Sequence, residues 1–251
     1  MKRLFTTLLQ ELDSGHSAVL CGIVASRGST PRGAGAKMLV LDDGDTIGTI
    51  GGGAVEYRAA QMAVELLGKK ESRFESYRLA PGDVADVGMI CGGDVRVYFQ
   101  YFDPADRVAR TALADALALL DAPGPSWLVT AMDGSGWRMG TCDRSRGLRG
   151  LEIPTERLEP LLGGRGMLAE DETALFAEPL VQAGTVYLFG GGHVAQALAH
   201  ILAITDFRTA VYDQRKQLVS RAFFPEVSAR LCGPFPEALE RVGTITEDDY
   251  I

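Results

Sequence analysis

Histidine is scarce in this chain of 251 residues: only His16, His193 and His200 are present. Four cysteines, Cys21, Cys91, Cys142 and Cys232, stand far apart with no CxxC pair. A structural zinc site needs His and Cys ligands at short spacing, so none is expected. Scattered cysteines in a reducing compartment read as free thiols rather than a disulfide framework. Positive charge is also short: 25 Lys and Arg against 33 Asp and Glu give a net charge of -8. That balance argues against sequence-independent nucleic-acid binding, which needs a basic surface over the phosphates. Local basic spots can still hold a small anion. No run approaches the roughly 18 to 20 apolar residues of a membrane span. Residues 1–10 lack the apolar run and small-residue cleavage site of a signal peptide. The expectation is a cytoplasmic protein that engages neither nucleic acid nor membrane.

What is present is a core. A hydrophobic fraction of 46% in 251 residues is enough for one large or two small domains. Leu4, Phe5, Leu8, Leu9 and Leu12 recur at helical spacing and predict a helix over 3–14, stopped by Gly15. An apolar strand follows at 18–26, then the loop Arg27-Gly-Ser-Thr-Pro-Arg-Gly33. Residues 37–41 and 46–50 flank a short turn and predict a hairpin. Gly51-Gly52-Gly53 then opens a helix over 54–67, followed by a strand at 73–79. Residues 80–93 hold few core formers, whereas 94–102 alternates as a strand should. Asp103-Pro104 resembles an N-cap with Pro at the first helical position, opening a helix that ends at Leu120. A second hairpin is expected over 126–132 and 137–141, then a basic loop at 144–150, a short helix near 155–162 and a strand at 173–180. The fold class is α/β, with a mixed α/β N-terminal domain over 1–183 and a second domain over 184–251.

The second domain has its own pattern. Residues 185–189 read as a buried strand that runs into Gly190-Gly191-Gly192-His193-Val194-Ala195. An apolar helix continues to Ile204, and a second strand ends at Asp213, about twenty residues after the glycines. Strand, GxGxxA turn, helix, strand and terminal acid form the dinucleotide-binding (Rossmann) pattern. The first glycine, Gly190, makes the tight turn, and Gly192 lets backbone approach a phosphate. Asp213 could take a ribose hydroxyl. His193 could contact the ligand or simply be a polar first-turn residue. After Cys232 only one further short helix is expected, so the sheet reads as incomplete, with its last strands absent or supplied by a partner.

Three N-terminal motifs complete the picture: Arg27-Gly-Ser-Thr-Pro-Arg32, Thr49-Ile-Gly-Gly-Gly53-Ala-Val-Glu56 and Met89-Ile-Cys-Gly-Gly93. In this order, and followed by the glycine-rich Rossmann turn, they resemble the XdhC/CoxI family, accessory factors of xanthine dehydrogenase and related molybdenum hydroxylases. The resemblance covers essentially the whole chain. CoxI-type members tend to carry a cysteine in the Gly-Gly-x-x-Glu loop, where this chain has Ala54; it is closer to the XdhC type. The resemblance implies a protein that binds the molybdenum cofactor, guards it while a cysteine desulfurase exchanges its terminal oxo ligand for sulfur, and supports its insertion into the hydroxylase. It also implies a homodimer, which would suit a half-completed sheet.

The motif residues suit that cargo. Ser29, Thr30 and Arg32 offer hydroxyls and a guanidinium to a phosphate. Gly51, Gly52 and Gly53 precede a helix and can present N–H groups to the same anion. The plainer alternative makes both segments mere turns. Cys91, ahead of Gly92 and Gly93, is a candidate contact to molybdenum or carrier of sulfur, or else a small buried hydrophobe. Glu56 can accept from the N–H edge of a pterin, or simply favour the helix dipole. Two other functions stay open. One is an NAD(P)-dependent Rossmann oxidoreductase, with NAD(P) or another nucleotide on Gly190, Gly192, His193 and Asp213. The other is a scaffold that recruits partner proteins.

Overall fold

The computed structural model describes residues 1–78, 93–122, 124–133, 136–171, 173–180, 184–205, 207–243, 245 and 249–251. Cys91 and Gly92, and with them most of the third motif, lie outside the described residues. The chain divides into two compact units, Met1–Val181 and Gln182–Ile251.

The first unit begins with α1 (Lys2–Asp13) and continues through β1 (Ala18–Arg27), β2 (Lys37–Leu41), β3 (Thr46–Gly48), α2 (Gly53–Lys69), β4 (Arg73–Arg78), β5 (Asp94–Phe102) and α3 (Arg107–Leu120). Its first sheet is antiparallel with the order β3-β2-β1-β5-β4. Strand periodicity sorts the side chains of β1. Val19, Cys21 and Ile23 join Val55, Ala59, Ala63 and Leu66 of α2 in one core, while Ala18 and Leu20 join α1 and α3 in another. A helix therefore covers each face of this sheet. Cys21 is fully buried, and burial pushes its thiol pKa up, which makes it an unreactive packing residue.

The second sheet is built from β6 (Ser126–Asp133), β7 (Gly136–Asp143), β8 (Gly147–Arg149), β9 (Met167–Ala169) and β10 (Ala174–Pro179), with α4 (Thr155–Leu158) between β8 and β9 in the chain. Its order is β8-β7-β6-β10-β9, again antiparallel. Val24 and Tyr98 of the first sheet pack with Met132 and Phe176 of the second. Beside them the buried Lys37 ammonium meets the Glu178 carboxylate at 2.5 Å. Removing either partner alone would leave an uncompensated buried charge.

Three details depart from the sequence reading. Helix α3 starts at Arg107 rather than after Asp103-Pro104. Asp103 instead accepts from the Ala105 N–H in a tight turn, and Asp106 caps the helix by accepting from Val108 and Ala109 N–H. The basic loop at 144–150 contains the short strand β8, and β9 was not anticipated.

The second unit carries β11 (Val186–Phe189), α5 (His193–Ile204), β12 (Thr209–Asp213), β13 (Ala229–Cys232) and α6 (Ala238–Val242). The three strands are parallel in the order β11-β12-β13. On the far side of β11, Tyr250 forms a parallel bridge to Val186, and its carbonyl accepts from Tyr187 N–H at 2.8 Å. Tyr250 thus adds a one-residue bridge on the side of β11 where the sequence reading expected nothing from this chain. The chain order reverses beside β11, which is where open α/β sheets form their ligand crevice.

Candidate functional site

Strand register begins the assembly of the N-terminal site. Arg27, at the end of β1, pairs with Asp94, at the start of β5. The RGSTPR loop therefore leaves the sheet beside Gly93, and the two pack backbone to backbone. A Cβ on Gly93 would lie 2.5 Å from the Arg27 carbonyl oxygen and 2.6 Å from that of Ser29. Only glycine permits that approach. The same loop touches the second motif: Gly51, at φ 128°, would place a Cβ 3.1 Å from Pro31 Cβ and 3.8 Å from Arg32 Cγ. Segments more than 60 residues apart in sequence (Gly93 and Arg27) thus meet at one end of the sheet. Ser29 and Arg32 are exposed, Thr30 is half-buried, and Arg32 has no ion-pair partner among the described residues.

The glycine turn is not an open anion cradle. Glu56, in the first turn of α2, folds back over it. Its Oε2 accepts from the Thr49 hydroxyl, from Ile50 N–H at 3.1 Å and from Gly52 N–H at 3.0 Å. Gly51 N–H donates to Thr49 Oγ1 at 3.1 Å. Partial burial works to raise the Glu56 pKa, but the Thr49 hydroxyl and the backbone donors outweigh it and hold it below the ordinary value. Glu56 is therefore ionised at neutral pH. Its Oε1 has no partner among the described residues. Of the residues singled out from the sequence, Arg32 supplies a cation, Glu56 a carboxylate oxygen and exposed Gly53 a helix start.

The second glycine turn is pinned in a related way. Gly190, at φ 111°, donates to the Tyr212 carbonyl at 2.7 Å. Gly191 is buried under the Lys216–Val219 turn, where a Cβ would lie 2.4 Å from the Leu218 carbonyl oxygen. Its N–H donates to Asp213 Oδ2 at 2.8 Å. Arg215 completes the enclosure: its N–H and Nε reach Asp213 Oδ1 at 2.8 and 3.0 Å, and Nη2 reaches Oδ2 at 2.9 Å. The Arg215 guanidinium, against burial, holds the Asp213 carboxyl well below the usual carboxylate range. Asp213 is fully buried with both oxygens engaged, so a ribose would have to displace Arg215 to reach it. Gly192 caps α5 and faces open space, and His193 is exposed as the first helical residue.

Sequence reasoning placed Thr49 in the second motif without a role and did not single out Arg215; these residues complete the two clasps. Thr49 opens the second motif, but its contact with Glu56 was not legible: the two lie seven residues apart, and Thr49 precedes the helix that begins at Gly53, so helical spacing does not bring them together. Arg215, two residues after the acid, could have been flagged as a neutralising partner.

A model of the XdhC and CoxI family matches residues 11–78, and one of the XdhC Rossmann domain matches 186–250, together more than half of the chain. The chain belongs to the XdhC and CoxI family. A molybdenum cofactor insertion chaperone, PaoD of Escherichia coli (strain K12), is 38% identical over 88 residues, 35% of this chain and 27% of that protein. The uncharacterized protein YqeB of the same strain is 33% identical over 124 residues, 47% of this chain and 23% of that protein. These two matches therefore span only about a quarter of each relative. A probable xanthine dehydrogenase subunit of Bacillus subtilis (strain 168) is 27% identical over 248 residues, 94% of this chain and 71% of that protein. Among solved structures, a Bacillus halodurans protein described as a xanthine dehydrogenase superposes with a TM-score of 0.73 at 23% identity. That superposition covers 98% of this chain and 72% of the other, and shows a shared fold. Among the described residues of this XdhC/CoxI-family chain, no helix is long and apolar enough to cross a membrane.

Proposed function

We propose that this chain is an accessory protein rather than an enzyme of metabolism. It holds the molybdenum cofactor as cargo, supports its sulfuration and assists its insertion into a hydroxylase of the xanthine dehydrogenase type. The observation that carries this reading is the convergence of the RGSTPR loop on both Gly51 and Gly93, which gathers residues suited to a phosphorylated pterin. In this reading the phosphate goes to Arg32, with Ser29, Thr30 and the N–H groups at Gly53 beside it. Gly51 and Gly52 shape the turn rather than bind, because their N–H groups are already engaged. The free Oε1 of Glu56 accepts from the pterin N–H edge. Cys91, with Gly92, supplies the contact to molybdenum or sulfur. The hydroxylase, a cysteine desulfurase and a second copy of this chain are the partners, and the cytoplasm is the location. The functional division is 1–183 for cargo and 184–251 for the Rossmann-like domain.

Anaerobic co-elution with molybdenum cofactor, read by pterin fluorescence and metal content, tests this. Wild type should retain pterin and metal, Arg32→Gln should retain less pterin, and Cys91→Ala should lose metal or sulfur. No retention by wild type sinks the carrier reading. A second reading, NAD(P) or another nucleotide on the second unit, is favoured by the chain reversal beside β11 and the open Gly192. It predicts saturable dinucleotide binding that weakens when His193 is replaced, and a flat titration removes it.

A further inference from the structure

A cleft of about 300 Å³ lies between α3 and the β7–β8 hairpin. It is separate from the motif cluster, because α3 follows the end of β5 opposite Gly93. Its lining includes Arg107, Thr111 and Asp115 from α3, with Met139, Thr141 and Arg149 from the hairpin. Arg149 and Thr141 are cross-strand partners, which brings the guanidinium and the hydroxyl to the same place.

The polar groups of this cleft are poorly matched by the protein itself. Arg149 Nε is buried and has no hydrogen-bond partner among the described residues, while Nη2 forms only a long ion pair with Asp115 Oδ2 at 3.5 Å, too far for a good hydrogen bond. Buried guanidinium N–H groups are rarely left unpaired, and such a group calls for a partner from outside the fold. Arg107 has no ion-pair partner among the described residues. The Thr111 hydroxyl is committed to the Arg107 carbonyl at 2.8 Å. Two guanidinium groups against one carboxylate leave the lining with one net positive charge. Exposed Val108 adds an apolar wall above a floor of buried Ala112 and Met139.

We propose that this cleft binds a small organic monoanion: a carboxylate on an apolar body. The planar Nε–Nη edge of a guanidinium fits a carboxylate in two parallel hydrogen bonds. Asp115 disfavours a dianion, and the cleft volume is at the lower end of the range for small-molecule sites. The carboxylate sits on Arg149 with Arg107 alongside, and the apolar part lies against Val108, above the Met139 floor.

The test uses the full chain with benzoate as the probe and benzyl alcohol as its neutral counterpart, by calorimetry and by methyl spectra of 13C-labelled methionine. Benzoate should bind saturably and shift the Met139 methyl resonance, with at least about tenfold preference over benzyl alcohol. Arg149→Gln should weaken benzoate about tenfold. Arg107→Gln, a surface change that leaves folding intact, should weaken it about threefold. No saturable binding up to about 10 mM overturns the proposal, as does equal binding of the alcohol. Binding that leaves the Met139 resonance in place overturns it too. Should Arg149→Gln fail to fold, Arg107→Gln decides alone, and an unchanged affinity in that variant rejects the site.

Discussion

The chain contains two glycine-rich turns, each ahead of a helix and each with backbone N–H groups held by a carboxylate of the same chain. At Gly51–Gly53 the carboxylate is Glu56, from inside the helix, and its donors are all neutral. At Gly190–Gly192 it is Asp213, from the neighbouring strand, and Arg215 neutralises it. The difference sets what each turn can offer a ligand. The first keeps a negative charge that no cation among the described residues pairs with, and one oxygen without a partner there, suited to N–H donors of a cargo. The second has spent its acid on its own architecture and keeps only Gly192 and the helix start accessible. A glycine-rich turn before a helix is therefore not by itself a phosphate site; what already occupies its donors decides.

The largest effects should come from filling the close approaches. Gly93→Ala and Gly191→Ala each press a Cβ onto backbone oxygens, at 2.5 Å from Arg27 and 2.4 Å from Leu218. Each should cost about 3 kcal/mol. Both tryptophans, Trp127 and Trp137, belong to the first unit. Denaturation followed by tryptophan fluorescence should therefore move to lower denaturant for Gly93→Ala and stay put for Gly191→Ala, whose loss shows in circular dichroism. A fluorescence midpoint that moves equally in both variants would mean that the units unfold as one, and would remove the contrast.

Next in size is the comparison of the clasps. Asp213→Asn strips the charge that buried Gly191 and Arg215 both use, at about 2 kcal/mol. Glu56→Gln weakens hydrogen bonds in a half-buried, water-accessible turn and should cost about 1 kcal/mol. Both carboxyls have folded pKa values below their unfolded ones. Their stabilisation is complete above the unfolded values, about 4, and is lost as pH falls through the lower folded values. Acid unfolding should thus lose part of its steepness in each variant, more in Asp213→Asn. An equal change would place the two clasps on the same footing.

Much of this was legible in the sequence because local pattern and tertiary role agreed. Asp94–Phe102 alternates as a strand and is one, and 186–213 carries the strand, turn, helix and strand of a Rossmann unit. Where several residues shared one chemistry, the pattern could not choose. Asp103 and Asp106 are both good caps, and the Asp103 turn carried the helix start to Arg107. Three-residue strands such as β8 and β9 have too little periodicity to read, since their existence depends on pairing with β7 and β10. At the motif cluster the residue types were visible, but not that Glu56 would occupy the turn's own donors. That depends on the path from Thr49 to α2, which no spacing rule encodes.

The smallest expected effect sharpens the comparison most. Gly192 adopts φ -74° and ψ -176°, which any residue can take, and a Cβ there meets nothing within 4 Å. Gly192→Ala should therefore change stability by less than about 0.5 kcal/mol, in contrast to its neighbour Gly191. Tolerance of stability is not tolerance of function. A methyl at this position stands where a phosphate would approach the first N–H groups of α5. If the second turn binds a nucleotide, dinucleotide affinity should fall while the melting temperature holds. If both hold, with binding still saturable, the ligand does not use this turn.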